Sequence, residues 1–106
     1  MHKMKLLESP FERIKNGTKT VEFRLYDEKR QLIKIGDKIE FSKLPELEEK
    51  IVVEVVDLYR EDTFEELLEK VLNDKEDIEK QIKTIYTIYS VEEEKKYGVL
   101  GIKIKL

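Results

Sequence analysis

The sequence predicts an α+β domain, about five strands with helices inserted between them, a pattern compatible with a small mixed barrel. Three observations carry that expectation. Segments such as residues 20–26 alternate strictly between polar and apolar residues, the two-residue period of a strand. Phe64, Leu67, Leu68 and Val71 instead repeat at helical spacing behind a capping residue. The length of 106 residues suits a single domain, residues 1–106, and a chain of that size buries roughly two-thirds of its surface without staples.

Residues 4–7 read as a first strand, with Met4 and Leu6 inward and Lys3 and Lys5 outward. A helix follows. Ser9 is its expected cap, Pro10 its first residue, and Glu12 completes a capping box; Phe11 and Ile14 form the apolar face, and Asn16-Gly17 is the stop. In the strand at 20–26, Val21, Phe23 and Leu25 are expected to point inward, with Thr20, Glu22, Arg24 and Tyr26 outward. Residues 27–31 form a turn or one helical turn carrying Lys29 and Arg30. Gly36-Asp37 turns the chain into a strand at 38–42, with Ile39 and Phe41 inward. A loop at 44–50 contains Pro45. Residues 51–59 are the longest apolar run, valine-rich and apolar on both faces in its middle, as suits a central strand covered on one side by a helix.

Thr63-x-x-Glu66 opens the second helix and Asn73-Asp74 breaks it. A third helix spans 75–89, with Ile78, Ile82, Ile85, Tyr86 and Tyr89 on one stripe. Ser90-x-x-Glu93 is a further capping box, for a short helix stopped near Gly98. Residues 99–106 close as a strand, with Leu100, Ile102 and Ile104 inward and Lys103 and Lys105 outward. There are no internal repeats or low-complexity segments.

The absence of cysteine excludes disulfides, zinc–cysteine sites and thiol nucleophiles. His2, the sole histidine, reads as a mobile surface residue; with no second ligand of matching type, no metal or cofactor is expected. No apolar run reaches the length of a membrane span, and the start lacks a signal-peptide core, so a cytoplasmic protein without a membrane partner is expected. The net charge of −3 argues against a general polyanion binder. The charge is uneven, however. Residues 1–45 carry 11 Lys/Arg against 7 Asp/Glu, a balance of +4, and residues 46–106 carry 10 against 17, a balance of −7. That split permits a local positive site.

The candidate site is the segment from Lys19 to Arg30. Lys19, Arg24, Lys29 and Arg30 are interleaved with Glu22 and Tyr26. Arginine grips a phosphate or base edge with two parallel hydrogen bonds, lysine acts as a point charge, and an aromatic among them can stack on a base. The bland reading is a solvated strand face whose ion pairs carry little energy. If the segment is the site, Lys19→Ala and Arg24→Ala are each expected to abolish most ligand binding or turnover while leaving the melting temperature nearly unchanged. Elsewhere the bland readings prevail. Tyr86 and Tyr89 read as core residues with hydroxyls at the edge. Glu92-Glu93-Glu94 reads as a solvated helix start favoured by the helix dipole, as do Asp74, Glu76 and Asp77.

The spacing G-x-K-x-x-E-x-R, here Gly17, Lys19, Glu22 and Arg24, resembles the signature of the ASCH family, whose domains have a PUA-like fold. Leu25 to Gln31, Ile35-Gly36-Asp37 and Tyr97 to Ile102 also resemble its small single-domain bacterial and archaeal members, so the resemblance covers nearly the whole chain. It implies a PUA-like small mixed β-barrel with helices packed outside. It also implies RNA or nucleotide binding in a cleft lined by Lys19, Glu22 and Arg24. One branch of the family is an amidohydrolase acting on N4-acetylcytidine, with a lysine, a threonine three positions on and a more distant glutamate. Lys19 matches the lysine, and Glu22 stands at the threonine position. If the chain is an enzyme of this kind, Lys19 and Glu22 are its candidate catalytic residues, with Asp74 or Glu76 in about the segment of the distant glutamate. The alternative to a binding module is thus a small amidohydrolase acting on a modified nucleoside.

Overall fold

Five strands and four helices follow one another as β1 (His2–Leu6), α1 (Glu8–Lys15), β2 (Val21–Leu25), a short 3₁₀ turn (Arg30–Leu32), β3 (Lys38–Lys43), β4 (Lys50–Glu61), α2 (Phe64–Val71), α3 (Lys75–Ile88), α4 (Val91–Tyr97) and β5 (Val99–Lys105). This computed structural model describes all 106 residues. The strands form one mixed sheet in the order β1-β3-β4-β5-β2, which places the valine-rich β4 at the centre, as its apolar middle predicts. The chain divides into two compact units. One comprises Met1–Glu22, Ile33–Leu58 and Ile102–Leu106; the other comprises Phe23–Leu32 and Tyr59–Gly101.

In the first unit β1 runs parallel to β3, with Met4 opposite Phe41, and β3 runs antiparallel to β4, with Phe41 opposite Ile51. The inward residues of these strands, Met4, Leu6, Ile39, Phe41, Val53 and Val55, join Phe11 and Ile14 of α1 in a buried core. Each large side chain so buried contributes about 1.5–3 kcal/mol. Helix α1 begins two residues earlier than the capping pattern predicts. Leu7 occupies the cap position without a side-chain hydrogen bond, and Pro10 sits in the third helical position. The first-turn N–H groups have no intrahelical partner, so proline is tolerated there and the helix start is not tied to Ser9. Glu12 does not close a capping box. Its carboxylate accepts instead from Lys43 Nζ at 2.8 Å. Lys43 also pairs with Glu49, and Glu49 with Lys15, so a four-residue ion-pair network ties α1 to the end of β3. His2 is likewise not the mobile residue expected. It belongs to β1, and its Nε2 lies 2.8 Å from Asp37 Oδ2.

In the second unit the caps expected at Thr63 and Ser90 form, and Asp74, read from the sequence as a solvated acid at a helix start, supplies a third. The Thr63 hydroxyl accepts from Glu66 N–H, the Asp74 carboxylate accepts from Glu76 and Asp77 N–H, and Ser90 with Glu93 makes a complete capping box. Phe64, Leu67, Leu68 and Ile85 are buried with Val99 and Leu100 of β5. Gly101 lets helix α2 approach the strand closely: a Cβ there would stand 2.9 Å from a Leu67 methyl. Tyr89 stacks on Phe64 with ring centroids 5.5 Å apart. Tyr86 meets Phe64 edge-on but stays 37% exposed, less buried than its place on the apolar stripe predicts.

Candidate functional site

The turn after α1 delivers Lys19 to β2. Gly17 takes φ of 83°, a left-handed conformation that favours glycine. The Arg13 carbonyl then accepts from both Thr18 N–H (2.9 Å) and Lys19 N–H (3.0 Å). From that anchored position Lys19 Nζ lies 3.5 Å from Glu22 Oε1, with the two side chains only 9% and 7% exposed. This corrects the expectation that Glu22 lies on a solvated face. Phe23 and Leu25 are buried as expected, yet Glu22 is buried too, and Val21 and Arg24 are half-buried, so neither face of β2 is open to water. The strand need not turn its carboxylate to solvent, because a cation is placed beside it.

Arg24, Tyr26, Lys29 and Arg30 fall in the second unit, whereas Lys19 and Glu22 fall in the first. Tyr26 follows β2 directly, and its N–H donates to the Gly98 carbonyl at 2.9 Å. The guanidinium carbon of Arg60 lies over the Tyr26 ring, 4.4 Å from its centroid. Arg30 is held locally by Asp27, whose carboxylate accepts from Arg30 N–H at 3.1 Å and from Nη1 at 3.0 Å. Its Nε is buried without a hydrogen-bond partner. Lys29 is exposed. The site residues named from the sequence are thus engaged in distinct ways: Lys19 with Glu22, Arg30 with Asp27, and Tyr26 with Arg60.

Arg60 carried no signal in the sequence, since it stands at the end of β4, far along the chain from the motif. Glu94 was also missed. It is buried rather than part of a solvated helix start, with Oε2 accepting from Phe64 N–H at 2.8 Å and from the Tyr86 hydroxyl at 2.6 Å. Phe64 is the first residue of α2, so Glu94 satisfies an N–H that has no partner within its own helix. Desolvation, followed by the bond to Glu94, pushes the Tyr86 hydroxyl up to about 12. Asp74 is occupied as the cap of α3, and Glu76 is exposed at the start of that helix. No group of three His, Cys, Asp or Glu side chains is arranged to hold a metal ion. No helix is long and apolar enough to cross a membrane.

The ASCH domain model matches residues 4–106, and so takes in both units. No curated protein matches the chain. Solved structures similar to it include two that cover nearly the whole chain. The crystal structure of hypothetical protein PH0355 is 39% identical and superposes with a TM-score of 0.81, over 97% of this chain and 95% of that one. The solution NMR structure of protein PF0455 from Pyrococcus furiosus is 38% identical with a TM-score of 0.68, over 98% and 94% of the two chains. The α+β sheet with its four helices agrees with the PUA-like fold expected from the motif. Matched over almost its whole length, the chain belongs to the ASCH domain family.

Proposed function

We propose that this protein binds RNA or a nucleotide through the segment from Lys19 to Arg30. The observation that carries the reading is the buried Lys19–Glu22 pair at the head of the ASCH signature. A solvated strand face would leave both groups in water. Taking two charges out of water is a poor way to gain stability, because the desolvation cost offsets most of their attraction. A desolvated ammonium and carboxylate are, however, effective recognition groups, the first for phosphate or carbonyl oxygens and the second for amino groups on a base edge. Tyr26 adds an aromatic group and Arg24 a fork of donors, both supplied by the same run of chain.

The test is a titration of short single-stranded RNA and of single nucleotides at several salt concentrations. Binding is expected to weaken with salt on a shallow slope, corresponding to a few phosphates at most. Arg24→Ala should weaken it by about tenfold or more, since a hydrogen bond to a charged group is worth about 1.5–3 kcal/mol. No measurable binding of either ligand, or a steep salt slope, overturns the reading. Glu22→Gln separates binding from the amidohydrolase alternative: the amide keeps an acceptor oxygen for a base amino group and so leaves a binding module mostly functional, but it stops a hydrolase that needs the carboxylate.

A further inference from the structure

Arg60 lies outside the signature and outside every segment that resembles the family pattern, yet it stands on a residue of the candidate site. Its guanidinium carbon is 4.4 Å from the centre of the Tyr26 ring. The same guanidinium borders Gly98, where an added Cβ would come within 3.3 Å of Arg60 Nη2 and 3.2 Å of the Glu61 carbonyl oxygen. Gly98 has φ of 71°, and its carbonyl accepts from Tyr26 N–H. One glycine therefore fixes the tyrosine backbone and leaves room for the arginine head beside it. Tyr26, Arg60 and Gly98 all belong to the second unit, so the arrangement is internal to it.

Arg30 and Arg60 of this unit differ in what holds them. Arg30 is locked in an ion pair with Asp27. Arg60 is exposed, is in no ion pair, and has a ring against its guanidinium. A guanidinium held over a ring keeps its opposite face and its rim of N–H donors available. A flat, polarisable group that also carries acceptors suits both, and a nucleobase is such a group.

We propose that Arg60 is a ligand-contact residue that stacks a nucleobase on the guanidinium face turned away from Tyr26, with the tyrosine ring as its backing. This rests on the RNA-binding reading and adds to it a stacking position outside the signature. It also alters the part assigned to Tyr26, which supports the stacking group instead of meeting the base itself.

The experiment titrates wild type, Arg60→Lys and Arg60→Ala with a fluorescently labelled short single-stranded RNA and with the same sugar–phosphate backbone lacking bases. Melting temperatures are recorded in parallel. Lysine keeps the charge and loses the plane, so Arg60→Lys is expected to bind RNA about tenfold more weakly and the base-free backbone as wild type does. Arg60→Ala should lose at least as much on RNA. If wild type binds RNA and Arg60→Lys binds it equally well, Arg60 is at most a point charge; the stacking assignment is overturned and the RNA reading survives. Equal losses on both probes would overturn stacking in the same way. If wild type binds neither probe, the RNA reading itself fails and takes the assignment with it.

Discussion

Glu22 and Glu94 are both buried carboxylates, 6% and 5% exposed, one in each unit, and they are stabilised by opposite means. Glu94 is met by dipoles: the first N–H of α2 and a tyrosine hydroxyl, both at short distance. Such a carboxylate acts as a helix cap supplied from a distant part of the chain, and its bonds are fixed by helix geometry on either side. Glu22 is met by a flexible cation at 3.5 Å, longer than an ordinary charged hydrogen bond. Lysine has three rotatable donors on a long stem, and under the proposed function these are the donors that would meet a ligand. Burial alone therefore does not mark a functional carboxylate. The partner distinguishes the two: fixed dipoles meet Glu94, and a lysine ammonium meets Glu22.

The largest effect expected from this contrast is at Lys19. Lys19→Ala removes the ammonium beside a buried carboxylate and should cost up to about 3–5 kcal/mol of unfolding free energy, in place of the unchanged stability that a solvated pair predicts. Replacing both partners, as in Lys19→Met with Glu22→Leu, should restore most of that loss, because two apolar groups of similar size need no charge partner. Urea denaturation of the single and double variants checks this. A Lys19→Ala variant as stable as wild type would mean that the pair is solvated in solution, and the contrast with Glu94 would collapse. Next in size is Tyr86→Phe, which takes one donor from Glu94 and should cost about 1.5–3 kcal/mol while leaving any RNA binding intact.

The same tyrosine gives the comparison a pH signature. Its hydroxyl titrates at about 12 in the folded protein against 10.0 ordinarily. A raised folded value means that the contribution is fully present below pH 10 and is lost as pH rises toward 12. Wild type should thus lose stability across that window, and Tyr86→Phe should lack this part of the alkaline limb. The smallest effect belongs to the exposed network of the first unit. Hydrogen bonds from Lys15 and Lys43 hold Glu49 below the usual carboxylate range, and the bond to His2 does the same for Asp37. Their contribution is present above the ordinary carboxylate value and fades as pH falls through the lowered one. Being exposed, it should shrink further in high salt, and Lys15→Ala should flatten the acid limb only slightly.

Most of the architecture was legible in the residue pattern because strands and helices are short-range periodicities. The inward sets Met4/Leu6, Ile39/Phe41 and Leu100/Ile102/Ile104 are buried as alternation predicts, and the caps at Thr63 and Ser90 form from local spacing alone. The misreadings share a cause. Glu94, His2 and Arg60 owe their roles to partners that the fold brings from far along the chain, Glu12 is drawn from its local cap to a lysine on β3, and Glu22, whose partner Lys19 is only three residues away, was misread because burial is set by the fold. An acidic run such as Glu92-Glu93-Glu94 looks uniformly solvated in sequence, and only the arrival of α2 selects its third member for burial. The candidate site was legible as a segment, through the Gly17-to-Arg24 spacing. The partners of its members were not, because a charge pattern specifies which groups are present and leaves open which of them find one another.

The parallel register of β1 on β3, with His2 opposite Ile39, has a consequence for the order of assembly. Helices α2 to α4 come from one uninterrupted run of chain, so their mutual contacts close short loops. Strand β1 pairs with β3 across the intervening α1 and β2, so a long loop must close before any ladder bond compensates for it. The amides of α2 and α3 are therefore expected to gain protection from pulsed hydrogen exchange before those of β1. Protection of β1 first would mean that the amino-terminal strand nucleates the domain.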